Sequence, residues 1–529
     1  MTGQRRPPEW LLVAVGALLV SGAVTLGSPA GLRADQHAYN LLVVKTLQPE
    51  LFQRDALYRH DPSLLHVPLF IALHARLTRW LGGGPETALA WLAWPMGALY
   101  LGGHYALFRA VSGSASAAAL AAVSALTVRN ALGGEFWGFE GVRSAATRTI
   151  VAGLTPLVLL AFLRWRTRPS FPAFFLGLGL LVSVHPPSAI HLAQVTAIAH
   201  VWLGRFRARP LAEVGAGIAL FVLGALPYAW PFLAARDNVA DPASLALTRQ
   251  ALDYRFPYLF YPLTPAALLS VAFHLALPVG LWAWWRRRHP AGETLHGLSV
   301  IAVVALAAGF GGLAVIQAAG VWLERPYVDV QQLRVVRLAY PLVLCGFTLV
   351  YARLLARATW RARTAVAILF VASLVPPASV IHAFGDEQRA AVKAALGMER
   401  ARPPSPGRAG DAAAVPALYE WARSATPPSA LFLTQDDSFR VATHRSITGT
   451  FKDGAFQYVA GSRPFTEWYR SSREVEACRG VGGRGCWFEL ARRRRVDYAI
   501  VDPGLTETGS PADFERVWER GGFSVWRRL

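Results

Sequence analysis

The residues able to carry chemistry in this chain gather at the ends of long apolar stretches. Asp35 stands five residues after the uncharged run Trp10–Ala30, and His37 follows it. Asp55 closes the stretch Leu51-Phe-Gln-Arg-Asp55, and His60 and Asp61 come next. Glu135 and Glu140 lie among aromatics in the segment 130–140, with Arg143 and Arg148 just beyond. His185 precedes Pro186-Pro187, and Arg334 and Arg337 are three residues apart. A carboxylate beside a cavity can take the proton of a hydroxyl as a general base. Asp35 also begins a helix-like stretch, where an aspartate caps the free N–H groups of the first turn, so both readings stand for it. Arginine presents a planar fork of donors that matches phosphate and pyrophosphate. Arg334 and Arg337 fit that use, and equally fit headgroup contact or ion pairs with Glu324 or Asp329.

The elements that must position these residues follow from composition. Of 529 residues, 53% are hydrophobic and 16% charged, against about 25% charged in soluble domains. Trp10–Ala30, Val214–Ala235 and Gly297–Leu323 carry no charge at all, and each reaches the roughly 20 residues that cross a bilayer core. The net charge of +20 does not read as a nucleic-acid footprint. Its arginines fall in short loops between apolar runs, at 109, 164–168, 205–209, 286–288 and 353–363, which is the distribution of cytoplasmic loops in multi-pass proteins. Placing all of these loops inside requires that 31–85 stay outside, with 64–81 as an amphipathic surface helix. The predicted crossings are 10–30, 86–108, 114–131, 146–163, 170–184, 188–203, 212–234, 263–285, 297–321, 338–353 and 364–382, about eleven in all. The first is expected to be an uncleaved helix rather than a signal peptide. The chain therefore divides into a membrane domain over 1–383, a Pro-, Gly- and Ala-rich linker over 384–413, and a soluble domain over 414–529.

In that last domain helix-like and strand-like stretches alternate. Helices are predicted over 414–423, 464–478 and 487–495, and strands over 430–434, 497–501 and 523–526, which is an α/β pattern. Cys478 and Cys486 flank a glycine-rich stretch and are expected to form a structural disulfide, since glycine lets the chain turn back sharply and an outer compartment preserves the bond. Cys345 lies in an apolar run and reads as packing. The sequence has no zinc-type C-x-x-C spacing, no P-loop and no dinucleotide fingerprint.

The pattern resembles the GT-C-type membrane glycosyltransferases, and more closely bacterial GT-C-like membrane proteins. An acid just after the first span (Asp35), the stretch Leu51–Asp55 with Leu57-Tyr58, and a long first outer loop carry the likeness. In the tail it rests on Leu418–Arg423, Thr426–Leu433, Phe439-Arg440, Arg445 and Lys452-Asp453. The resemblance implies an all-α polytopic bundle with a periplasmic α/β domain, in the bacterial inner membrane. It implies a polyprenyl-phosphate-linked sugar as donor, Asp35 as base, and Arg334 and Arg337 on the donor phosphate, with Arg143 or Arg148. His37, Asp55, Glu135, Glu140 and His185 would line the substrate cavity. The family's paired D-x-D or E-x-D acids are absent here, because Gln36 and His37 follow Asp35. A divalent metal is thus optional and a metal-free mechanism stays open. The alternative is a non-catalytic membrane protein that binds or moves a lipid-linked glycan. The sugar, the acceptor and the oligomeric state are not legible.

The alternation of basic loops makes a direct prediction. Alkaline phosphatase fused after residue 383 should be active and a fused green fluorescent protein dark; the reverse pair of signals would invert the whole threading.

Overall fold

The computed structural model describes residues 9–26, 35–59, 66–127, 146–235, 242–256, 293–322, 332–374, 413–479, 483–505 and 511–529, with isolated positions at 280 and 283. Two compact units divide the chain. One gathers 1–33, 77–229 and 258–384; the other gathers 34–76, 230–257 and 385–529. The C-terminal unit is therefore larger than the division at residue 383 anticipates, because two earlier segments fold with the tail.

The first unit is helical. Four described helices are long and apolar enough to cross a membrane: Thr147–Trp165, Ala208–Ala235, Glu293–Ile316 and Arg334–Ala356. Only 17% of the apolar window of Ala208–Ala235 is buried, and Leu211, Ile218, Val222 and Leu223 stand exposed along it. A water-soluble bundle would turn such a face inward. Glu9–Leu26, Pro85–Ser112, Ala115–Ser124, Pro186–Leu203 and Trp360–Leu374 also form. The predicted crossing at 170–184 is a nine-residue helix, Pro172–Leu180, followed by a 3-10 turn. At 1.5 Å per residue that helix is about 14 Å long, short of the hydrocarbon core. The predicted crossing at 263–285 lies, apart from residues 280 and 283, outside the described residues.

Side-chain hydrogen bonds join helices within this unit. Ser21 Oγ donates to the Trp94 carbonyl and Trp94 Nε1 to the Leu18 carbonyl, each at 2.7 Å, so Glu9–Leu26 is pinned to Pro85–Ser112. Where Pro172–Leu180 crosses Ala208–Ala235, a Cβ on Gly179 would lie 2.2 Å from the Phe221 carbonyl oxygen, and one on Gly224 would lie 2.6 Å from that of Leu176. Small residues let helix backbones touch where lipid offers no hydrophobic drive to associate.

The second unit holds a five-stranded sheet: β1 (Leu431–Leu433), β2 (Ser446–Ile447), β3 (Tyr498–Val501), β4 (Phe514–Arg520) and β5 (Phe523–Arg528). The order is β2-β1-β3-β5-β4. β1 runs parallel to both β2 and β3, while β5 is antiparallel to β3 and β4. Side chains alternate across the sheet. Leu431, Leu433, Ala499, Val501 and Trp526 pack with Val475, Trp487 and Leu490 of the helices Ser462–Ala477 and Gly483–Arg493. Phe432, Ile447, Ile500 and Val525 pack on the other side with Leu418 and Ala422 of Ala414–Ala425 and with Phe439 of Phe439–Thr443. The result is helices on both faces of a mixed sheet. Gly521 and Gly522, at φ 56° and 80°, make the tight turn between β4 and β5, a backbone that two-residue hairpins need and glycine supplies.

Cys478 and Cys486 are joined in a disulfide with their Cα atoms 5.2 Å apart, inside the normal range. The bond ties the end of Ser462–Ala477 to Gly483–Arg493. Replacing both cysteines with serine in the full chain should lower the stability of this unit by about 2–3 kcal/mol. Alkylation of unreduced protein should leave both cysteines unmodified, and labelling of both would remove the bridge.

Candidate functional site

In the first unit the segment Gln332–Ala339 is a 3-10 helix of eight residues, longer than the three or four residues usual for that conformation. With three residues per turn, side chains three apart eclipse each other, so Arg334 and Arg337 share one edge. Glycines on the neighbouring helix Glu293–Trp322 allow the segment to come close: a Cβ on Gly309 would lie 2.5 Å from Val336 Cγ2, and one on Gly312 2.8 Å from Gln332 Cγ. Gln332 Nε2 donates to Gln194 Oε1 and to the Ala308 carbonyl, both at 2.9 Å. These bonds hold the segment between Glu293–Trp322 and Pro186–Leu203.

The arginines are buried, at 8% exposure for Arg334 and 6% for Arg337. Arg337 Nη2 donates to Ser188 Oγ at 2.5 Å, and Ser188 Oγ is 2.5 Å from His185 Nδ1. His185 occupies the N-cap position of Pro186–Leu203 with extended backbone, and Pro186 fixes that start because its ring suits the first helical turn. Ser188, three residues on, returns to the face of His185. A guanidinium, a hydroxyl and an imidazole thus form one connected set in an apolar bundle. Charged groups in such surroundings face a cavity or a partner and mark functional sites.

Arg148 is half-buried in the first turn of Thr147–Trp165. Glu135, Glu140 and Arg143 lie outside the described residues. Asp35 opens the helix Asp35–Leu47, with its side chain outside the described set, and His37 is half-buried one position past Gln36 in the same helix. Among the described residues no group of three or more His, Cys, Asp or Glu is arranged to hold a metal.

Asp55, expected to line the substrate cavity, instead lies inside the second unit at 1% exposure. Arg440, also buried, donates through Nε and Nη2 to Asp55 and through Nη1 and Nη2 to Asp453, at 2.7–2.8 Å. Asp55 accepts further bonds from the backbone N–H groups of Leu57 and Ile447, and Asp453 one from Thr450. Every hydrogen bond shown on the two carboxyl groups comes from a donor; for Asp55, burial pushes the pKa up against the pull of Arg440. Burial opposes the charge on Arg440, but Asp453 and Asp55 outweigh it and push its pKa well above the usual value. Arg445 has a comparable structural task. It donates to the carbonyls of Arg423 and Thr426 at the end of Ala414–Ala425, where free carbonyls and the helix dipole favour a cation.

The structure joins His185 and Arg337, two of the candidates, through Ser188, which sequence reasoning did not single out, as it did not single out Gln194 and Gln332. The available signal was helical spacing: Ser188 is three residues from His185. Arg440 and Asp453 entered only as parts of a resemblance.

Residues 413–475 match the family "Domain of unknown function (DUF6798)". The matched stretch contains Arg440, Arg445 and Asp453. The chain is also 32% identical to an apolipoprotein N-acyltransferase of Azotobacter vinelandii over 133 residues, 24% of this chain and 23% of that protein. It therefore spans less than a quarter of that relative's length.

The Arg440 cluster makes a structural prediction. Arg440→Met leaves two buried carboxylates facing each other, so the second unit should lose about 3–5 kcal/mol. Purified full-length protein should then be cut by trypsin within the tail at lower temperature than the wild type. Melting at the wild-type temperature would show that the cluster does not hold the unit together.

Proposed function

We propose that this chain is a bacterial inner-membrane glycosyltransferase of GT-C type, which uses a polyprenyl-phosphate-linked sugar at the outer face. The observation that carries the reading is the buried set Arg337–Ser188–His185, with Arg334 on the same 3-10 edge. Guanidinium forks in an apolar bundle suit a phosphate that must be held where lipid meets protein. In this reading the chain crosses the membrane several times, with the N-terminus inside and the C-terminal unit outside.

The reaction would run as follows. A general base takes the proton of an acceptor hydroxyl, the role that the resemblance gives to Asp35, and the hydroxyl oxygen attacks the anomeric carbon of the donor sugar. The bond from that carbon to the phosphate oxygen breaks, and the lipid phosphate leaves with the bonding pair. Arg337 and Arg334 stabilise the charge that grows on the departing phosphate. Ser188 and His185 hold Arg337 in position. The alternative is a protein that binds or moves a lipid-linked glycan without transfer, which keeps the arginines and has no need of a base at position 35.

The two readings separate on variants of the full chain in lipid nanodiscs, supplied with a radiolabelled polyprenyl-phosphate hexose and a mixture of acceptor glycans. Asp35→Asn should lower transfer by about 10²–10⁴-fold and leave donor binding intact. Arg337→Gln should weaken donor binding itself. Transfer at the wild-type rate by Asp35→Asn would remove Asp35 as base, and donor binding without any transfer by the wild type would favour the carrier.

A further inference from the structure

The second unit contains a cavity of about 490 Å³, within the size range of small-molecule sites. Its wall is formed by Arg54 and Ala56, the start of β1, the loop after β2, residues of Ser462–Ala477, and the end of Gly483–Arg493 with the residues that follow it. Five arginines, at 54, 470, 493, 494 and 495, line it against three acids, Asp453, Glu467 and Glu474.

Most of these charges are engaged. Arg54 Nη1 donates to Asp497 Oδ2 at 2.5 Å and Nη2 to the Arg495 carbonyl at 2.9 Å. Glu474 pairs with Arg494 at 3.1 Å and with Arg493 at 3.7 Å. Asp453 belongs to the Arg440 cluster. Arg470 and Arg495 are exposed and have no ion pair among the described residues, so an unbalanced positive charge remains at the cavity.

The inner wall carries a different signal. Gln457 is 4% exposed and donates through Nε2 to the Ala56 carbonyl, but its Oε1 is buried with no hydrogen-bond partner among the described residues. Thr448 Oγ1, also on this wall, is in the same condition. A buried polar atom without a partner costs free energy and calls for an explanation. Ser471 and Ser472 add hydroxyls nearby.

From these observations we infer that the cavity binds a phosphorylated sugar. Hydroxyls of the sugar meet Gln457 Oε1 and Thr448 Oγ1, and the phosphate meets Arg470 and Arg495. The inference is independent of the transfer chemistry proposed above, because it concerns binding by the tail unit. The same chemistry is presented by a soluble glycosyl phosphate and by the headgroup of a lipid-linked sugar.

The test uses the full chain in nanodiscs and calorimetric titration with hexose 1-phosphate, the neutral hexose and inorganic phosphate, with polyprenyl-phosphate hexose as a separate arm. Saturable binding of a hexose phosphate, stronger than that of either the hexose or phosphate alone, is expected. Arg470→Gln combined with Arg495→Asn should weaken it about tenfold or more. Asparagine is chosen at 495 because that residue sits at φ 51°, a backbone region it tolerates. Arg527→Gln, in β5 and outside the cavity, controls for charge and should bind as the wild type does. Binding of soluble hexose 1-phosphate identifies a soluble ligand; binding confined to the lipid arm identifies a headgroup. No saturable binding in either arm, inorganic phosphate binding as tightly as the ester, or a double variant that folds and binds normally would each overturn the assignment.

Discussion

One guanidinium organises the second unit. Arg440 uses Nε once, Nη1 once and Nη2 twice, holding Asp55 from an early segment of the chain and Asp453 from the tail in a common plane. A bidentate pair is demanding in angle as well as distance, and two pairs on one planar group leave little freedom. A buried ion costs several kcal/mol to desolvate, so the cluster is tenable only because backbone N–H groups of Leu57, Ile447 and Thr450 complete it. The bond from Ile447 has a second effect. β2 is an edge strand, and its outward N–H is occupied by Asp55 rather than left open to another chain. The wall that carries Ala56 and Gln457 depends on the same segment.

The helical unit meets the opposite problem, since its surroundings reward no further burial of apolar surface. Contact there comes from shape. Gly179 and Gly224 bring two backbones together, and Gly309 and Gly312 admit the 3-10 segment. The polar set at Arg337 is thus framed by glycine surfaces, and any added methyl group on them would displace the segment that bears the arginines.

Legibility in the sequence followed the range of the interaction. Long uncharged runs gave the apolar helices, because the bilayer acts on each helix separately. Helices at 414–423 and 464–478 and strands at 430–434 and 497–501 were readable from local pattern, as was the disulfide from its glycine-rich spacer. The hairpin of β4 and β5 was half-read: Phe523–Arg528 was expected at 523–526, whereas Phe514–Arg520 was missed. The charged residues of an edge strand hide its alternation, although Gly521-Gly522 marks the turn. The bonds of Asp55 to Arg440 are not local, because that partner lies 385 positions away. No local pattern distinguishes a loop aspartate from one clamped by a distant arginine.

The helical gauge of Gln332–Ala339 sets the bearing of its arginines. At three residues per turn each step rotates by about 120°, so Arg334 and Arg337 return to one azimuth. Wound as an α-helix, with about 100° per step, the same sequence would swing Arg337 about 60° away from Arg334. The bond from Arg337 to Ser188 would then have to be remade from a new direction. The tighter winding therefore keeps the Cα–Cβ bonds of the two arginines on one side of the segment.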